Sequence, residues 1–172
     1  MAKKIDHVDC EIILKLIDNA RKPFTEIAKE LIVSTGTVHQ RVKKLEKMGI
    51  INGYSLSINY HKFGYTLTVY VGIFIQTGYS AMNIIDELNK IPEVTVADLA
   101  AGTYSIFCKL RCRDTLHAKD VLFQMQAVEG VKGTETMIML EERLNDNKRL
   151  LRSIISEMKE NNLQILNFVF RY

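Results

Sequence analysis

An α+β fold in two parts is the class this sequence predicts, and three observations predict it. Residues 5–50 carry apolar positions at helical spacing in three short runs. From residue 66 onward the pattern changes to period-two alternation interrupted by two helical stretches. The whole net charge of +3 sits near the start: residues 1–60 hold ten Lys and Arg against seven Asp and Glu, whereas the other 112 hold thirteen of each. This asymmetry points to a polyanion partner for the N-terminal part. With 172 residues, 47% of them hydrophobic, the chain can bury a real core in one ordinary domain or two small ones. Lys3 and Lys4 are followed by Asp6, Asp9 and Glu11 rather than by an apolar run, and no later window approaches about 18 uncharged apolar residues. No membrane partner is therefore expected, and the chain reads as soluble and cytoplasmic. Cys10, Cys108 and Cys112 fit neither a disulfide framework nor a zinc knuckle, and read as reduced thiols.

The first helix is predicted to start at Asp6, with Asp9 in the capping-box position, and to place Ile12, Ile13, Leu16 and Ile17 on one side before stopping near Asn19. Pro23 suits the first position of a second helix whose apolar side is Phe24, Ile27, Ala28 and Leu31. Ser34 or Thr35 can cap a third. At about 100° per residue, Val38, Val42 and Leu45 cluster on one face of it and Gly36, Gln40, Lys43 and Lys47 fall opposite. Such a helix, anchored on one face and carrying Gln and Lys on the other, fits a DNA major groove, with His39, Arg41 and Lys44 near phosphates. "FTEIAKELIVSTGTVHQRVK", Phe24 to Lys43, has the length and pattern of a helix-turn-helix, and "IINGYSLSI", with Asn52-Gly53 at its turn, predicts a hairpin wing.

The order of "IDHVDCEIILKLIDNARKPFTEIAKEL" and "RVKKLEKMGIINGYSLSIN" resembles the N-terminal half of the leucine-responsive/asparagine regulator (Lrp/AsnC) family. The resemblance implies double-stranded DNA as partner and Thr35, Gly36, Thr37, His39, Gln40, Arg41, Lys43, Lys44 and Lys47 as the residues that meet it. Two positions depart from the family pattern: Ile32 stands where a Gly is usual at the helix-turn-helix corner, and Thr35 where a Pro is common. A β-branched residue disfavours positive φ, which predicts an opened or reshaped corner.

"TLTVYVGIFIQ" alternates Leu67, Val69, Val71, Ile73 and Ile75 with a second set and predicts a strand; "SAMNIIDELNKI" is helical, "VTVADLAAG" and "YSIFCKLR" are strands, "DTLHAKDVLFQMQAV" is helical and "VKGTETMIML" is a last strand. The order βαββαβ predicts a ferredoxin-like domain with both helices on one face of an antiparallel sheet. Tyr70, Phe74 and Phe107 on the other face make a second subunit a better neighbour than water.

"AAGTYSIFCKLRCRD" and "GTETMI" resemble the asparagine-responsive branch of the same family, whose C-terminal half is a βαββαβ ligand-sensing and oligomerisation domain. That resemblance implies dimers through the sheet, a tetramer of dimers, and a small amino-acid effector, asparagine or similar, with no other cofactor. An effector carboxylate wants donors, which Gly102, Thr103, Tyr104, Ser105, Thr134 and Thr136 can supply, and its ammonium wants Asp98, Glu135 or backbone oxygens. Where the commoner pattern has an acid on each side of the tyrosine, this chain has Thr103 and Ser105.

Enzymatic chemistry has no constellation to stand on. His7, His39, His61 and His117 form no i, i+4 metal pair, no nucleophile elbow, phosphate loop or dinucleotide fingerprint appears, and Glu141 and Glu142 would point to opposite sides of a strand. Cys108 and Cys112 share one strand face and read as core thiols. A sequence-tolerant DNA-organising protein of nucleoid type is the alternative to a regulator, since it would use the same basic helix. Beyond the family pattern, "NDNKRLLRSIISEMKENN" predicts an amphipathic helix capped by Asn145 or Asp146, with Leu150, Leu151, Ile154, Ile155 and Met158 on one side, and "LQILNFVFRY" a strand, the whole packed on its own sheet or on a neighbouring subunit. The predicted domains are a winged helix-turn-helix at 1–58, a linker at 59–65, the ferredoxin-like domain at 66–142 and a C-terminal helix and strand at 143–172.

Overall fold

The computed structural model describes residues 5–141, 143, 144, 146 and 148–169, with side chains in the last helix as far as Met158. It divides into two compact units, one built from the chain up to Leu56 together with the segment from Leu144, the other from Ser57 to Arg143.

In the first unit α1 (His7–Asp18) begins at a capping box: Asp6 accepts from the Asp9 N–H and Asp9 accepts from the Asp6 N–H, and Asn19 closes the helix. Pro23 is the N-cap of α2 (Phe24–Leu31) rather than its first turn residue, and Ser34 caps α3 (Thr35–Lys47) by accepting from the Thr37 N–H at 3.0 Å. Ile12, Leu16, Ile27, Ala28, Val38 and Val42 bury together as the core of the three helices. The corner after α2 is neither opened nor reshaped. Ile32 itself takes the left-handed conformation, φ 54 and ψ 47, and the Val33 N–H closes back on the Ala28 carbonyl at 3.0 Å. The predicted hairpin wing does not form, because residues 51–59 contain no strand pairing. Only two residues separate Gly49 from the Asn52-Gly53 turn, and the N–H groups of both Ile50 and Ile51 are spent on the Leu45 carbonyl at the end of α3, which leaves no first strand to pair.

The second unit opens with a 3-10 turn at Tyr60–Phe63, inside the predicted linker, and continues as β1 (Leu67–Ile75), α4 (Ala81–Leu88), β2 (Val94–Leu99), β3 (Ile106–Cys112), α5 (Thr115–Gln126) and β4 (Val131–Ile138). Neighbouring strands are antiparallel in the order β2-β3-β1-β4, the ferredoxin-like arrangement. Alternation along β3 sends Ile106, Cys108, Leu110 and Cys112 to one face, where they meet Val69, Val71 and Ile73 of β1, Ile84 and Leu88 of α4, and Val121 and Met125 of α5. Each such fully buried side chain is worth about 1.5–3 kcal/mol, so this layer holds the unit together. Burial pushes the Cys108 and Cys112 thiols up to about 11, with Asp98 acting on the first and Glu93 and Asp114 on the second.

The last helix, α6 (Lys148–Val169), corrects the C-terminal expectation twice. Residues 163–169, predicted as strand, continue the helix; no Gly or Pro interrupts the run, and each added residue gains a helical bond, whereas a strand needs a partner edge. Residues 170–172 and Asn145 lie outside the described residues, while Asp146 accepts from the Lys148 N–H at 3.0 Å. Second, the helix is part of the helical unit. Ile155, 2% exposed, lies with Cys10, Ile13 and Leu45 of the helical unit, Leu151 and Met158 flank it, and Arg152 pairs with Asp18 at 2.6 Å. Leu150 and Ile154, expected on the same buried side, are exposed. No helix among the described residues is long and apolar enough to cross a membrane.

Candidate functional site

Ser34 fixes the start of α3, and the burial of Val38, Val42 and Leu45 fixes which way it faces. Gly36, Gln40, Lys43 and Lys47 accordingly stand exposed on the far side, with His39 beside them, its ring edge-on to Phe24 at 4.7 Å. Thr35 is half-buried, and the Thr37 hydroxyl lies 2.9 Å from that of Ser34, so Thr37 serves the helix start. Arg41 and Lys44 do not join this face. Arg41 Nη1 donates to both Asp6 carboxylate oxygens at 2.6 Å and to Asp9 Oδ1 at 2.9 Å, and Lys44 Nζ donates to Asp9 Oδ2 at 2.5 Å. Asp9 is wholly buried. Burial drives its carboxyl upward, but the hydrogen bonds from Lys44 and Arg41 outweigh this and hold it below the usual carboxylate range; the same balance, with Arg41 as donor, lowers Asp6. The sequence assigned Asp9 to the capping box alone. Its second role required the α1–α3 crossing, which no local pattern encodes.

In the second unit the residues predicted for an effector divide between the two faces of the sheet. Glu135 pairs with Gly72, Gly72 with Phe107 and Phe107 with Asp98, so Asp98 and Glu135 lie in one row across the face without helices. Thr134 and Thr136 pair with Ile73 and Val71 and therefore turn to the helical face, where Gln126 of α5 donates to the Thr134 hydroxyl at 2.7 Å. Strand alternation makes one set of 134, 135 and 136 impossible. Tyr104 lies over the row: its ring occupies the space that a Cβ on Gly72 would need, 2.5 Å from that point, and contacts Phe74 edge-on at 5.3 Å. A hydrogen bond to Glu135, helped by desolvation, raises the Tyr104 phenol above its ordinary range. Tyr70 and Phe107 stack at 5.5 Å beside it. The Ser105 N–H is committed to the Ile73 carbonyl at 3.0 Å, which leaves Ser105 its hydroxyl, while Gly102 and Thr103 are exposed. Gly72 was missed as a site residue, although a lone Gly within a strand is the usual signal of close approach by another group.

A helix-turn-helix with an exposed basic helix face, followed by a ferredoxin-like unit with polar groups gathered on its open sheet face, defines a DNA-binding regulator with a ligand-binding domain. Residues 5–52 match the winged helix-turn-helix DNA-binding family and residues 68–148 the Lrp/AsnC ligand binding domain. The chain is 35% identical over 138 residues to regulatory protein AsnC of Escherichia coli K12, covering 80% of this chain and 91% of that protein, and 34% identical to regulatory protein AsnC of Haemophilus influenzae, covering 80% and 92%. It belongs to the Lrp/AsnC family of transcriptional regulators, and so is a regulator and not an enzyme. The solved structure of E. coli AsnC superposes with a TM-score of 0.79 at 32% identity over 84% of this chain and 97% of that one. A feast or famine regulatory protein from M. tuberculosis, solved in complex with L-methionine, superposes with a TM-score of 0.77 at 26% identity over the same shares.

Proposed function

We propose that this regulator binds specific DNA sites through Gly36, His39, Gln40, Lys43 and Lys47 of α3 and that its DNA affinity or assembly state responds to a small polar amino acid, asparagine first. The effector reading rests on one observation above all: Tyr104 lies over Gly72 on the open sheet face and meets Glu135 there, with Asp98 at the far edge of the same row. The Glu135 carboxylate suits an ammonium group, the Gly102–Thr103 turn and the Ser105 hydroxyl suit a carboxylate, and neutral Thr103 and Ser105 suit an uncharged amide side chain. The relative complexed with L-methionine supports an amino acid as the ligand class and puts methionine in the test panel. The aromatic set Tyr70, Phe74 and Phe107 on the same face supports self-association there, as a dimer and then a tetramer of dimers.

Calorimetry with asparagine, glutamine, methionine and leucine tests the effector directly. Saturating ligand at about 100 times its dissociation constant raises stability by about 2.7 kcal/mol, a shift that a thermal scan also reads. Asparagine is expected to bind, and to lose affinity in Glu135→Gln and Tyr104→Ala. Binding of leucine or methionine without asparagine overturns the ligand assignment, and asparagine affinity unchanged in both variants overturns the site. Equal affinity for random DNA and a selected site would favour a DNA-organising protein instead.

A further inference from the structure

We infer that Asp9, supported by Asp6, sorts the basic residues of α3 into a scaffold pair, Arg41 and Lys44, and a DNA-facing pair, Lys43 and Lys47, and so sets DNA affinity and selectivity as a positioning residue that never touches DNA. The inference rests on reading α3 as the recognition helix and adds what governs its charge.

Four charges meet at the α1–α3 crossing. Both oxygens of the fully buried Asp9 carboxylate are engaged by cations, Oδ1 by Arg41 at 2.9 Å and Oδ2 by Lys44 at 2.5 Å, and both oxygens of the half-exposed Asp6 accept from Arg41 at 2.6 Å. Two positive charges on α3 are thus matched within hydrogen-bond distance by two negative charges at the start of α1, the N-cap Asp6 and Asp9. Lys43 and Lys47 stand on the exposed side with Gln40.

Two physical consequences follow from this geometry. A phosphate that competes for Lys44 must strip Asp9 Oδ2 of its cation and leave it only the Asp6 N–H, and a buried carboxylate that loses part of its charge compensation is strongly disfavoured. Lys44 and Arg41 are therefore withheld from the sequence-independent part of DNA binding, which scales with the number of phosphates neutralised. Arg41 and Lys44 also lie three residues apart, so α3 is held to α1 at two points nearly one turn apart along its axis. Rotation of α3 about that axis, which would exchange the side chains offered to base edges, would have to break both. Limiting non-specific attraction and fixing rotation act in the same direction, toward selectivity.

The test is the slope of log K against log salt for the full-length protein on a selected site and on random DNA. Lys43→Gln and Lys47→Gln are each expected to lower the slope by about 0.9, the value of one phosphate contact on duplex DNA, whereas Lys44→Gln leaves it unchanged. Asp9→Asn keeps the shape and removes the charge; it is expected to steepen the slope by up to about 0.9 for each cation released, to tighten random-DNA binding and to narrow the ratio between selected and random DNA. Asp6→Asn, at a half-exposed carboxylate, supplies the same comparison in a milder form should Asp9→Asn fold poorly, because a merely destabilised protein weakens on both DNAs and does not gain slope. A fall in slope in Lys44→Gln equal to that in Lys43→Gln overturns the inference, as does an unchanged slope in folded Asp9→Asn or Asp6→Asn. No loss of slope in either Lys43→Gln or Lys47→Gln overturns the recognition-helix reading beneath it.

Discussion

Ile32 is 93% exposed, makes the helix-turn-helix corner with φ at 54, and does so with a β-branched side chain. For an L-residue that conformation costs about 1–2 kcal/mol, and no burial of Ile32 offsets it. The corner keeps its geometry because the Val33 N–H to Ala28 bond and the buried core on either side over-determine it. Ile32→Gly is therefore predicted to stabilise the protein by about 1 kcal/mol, the relieved strain less the added entropy of an unfolded glycine, as read by thermal or denaturant unfolding. An unchanged or lowered midpoint would mean that the left-handed conformation carries no strain here. Gly72 makes the opposite case, a small residue required by a neighbour. A methyl group there meets the Tyr104 ring 2.5 Å away, so Gly72→Ala is predicted to displace the ring from the open sheet face and weaken effector binding at least as much as Tyr104→Ala does. Fold stability should suffer less, because Tyr104 lies outside the buried layer between sheet and helices. Both positions were visible in the sequence as departures from local rules, Ile32 in a turn and Gly72 in a strand. What each departure did depended on contacts from elsewhere in the chain.

Elements with strong periodicity were legible: the five helices expected before residue 142 and the four strands of the βαββαβ order form, because capping at Asp6 and Ser34 and alternation in β1 and β3 are local signals. The wing and the C-terminal strand were not: the end of α3 takes the N–H groups of Ile50 and Ile51 that a first wing strand would need, and a C-terminal strand needs a partner edge that the sequence does not specify. The location of α6 was likewise illegible, because an apolar stripe reports that a helix is covered and not by what. Its place against Cys10, Ile13 and Leu45 leads to two predictions. Ile155→Ala should cost about 2–5 kcal/mol, the range for truncating a buried Ile. Deletion of 146–172 should make Cys10 reactive to alkylation in the native protein while Cys108 and Cys112, whose thiols burial pushes up to about 11, stay protected. Mass spectrometry of the labelled chain distinguishes the three sites, and a Cys10 as slow as the other two would deny that α6 covers it. The α1–α3 contact also carries a pH signature. Asp6 and Asp9 both lie below the ordinary aspartate value of 3.8, so their contribution is complete above that value and lost as pH falls through the lower folded values. Stability that Asp9→Asn lacks at neutral pH should thus converge with wild type only in strong acid.

For the whole molecule, the proposed effector response requires an equilibrium between states that differ in DNA affinity, because an effector with equal affinity for every state shifts nothing. The proposed self-association through the open sheet face supplies such states. Tyr104 and Glu135 lie on the same face as Tyr70 and Phe107, so a ligand that engages them alters the surface at which copies would meet. A two-fold dimer would read a roughly palindromic site with half-sites about 34 Å apart, or a multiple of that spacing. Linkage then demands reciprocity: if the effector changes operator affinity by some factor, operator DNA changes effector affinity by the same factor, within the 5–150-fold that couplings of about 1–3 kcal/mol allow. Titrating asparagine with and without operator DNA, and operator with and without asparagine, measures that factor twice. Equal factors that both collapse to one in Gly72→Ala are the predicted outcome. A factor that persists in a variant with Tyr104 displaced would place the coupling somewhere other than the open sheet face, and light scattering that shows a monomer at micromolar concentration would remove the assembly states through which it is proposed to act.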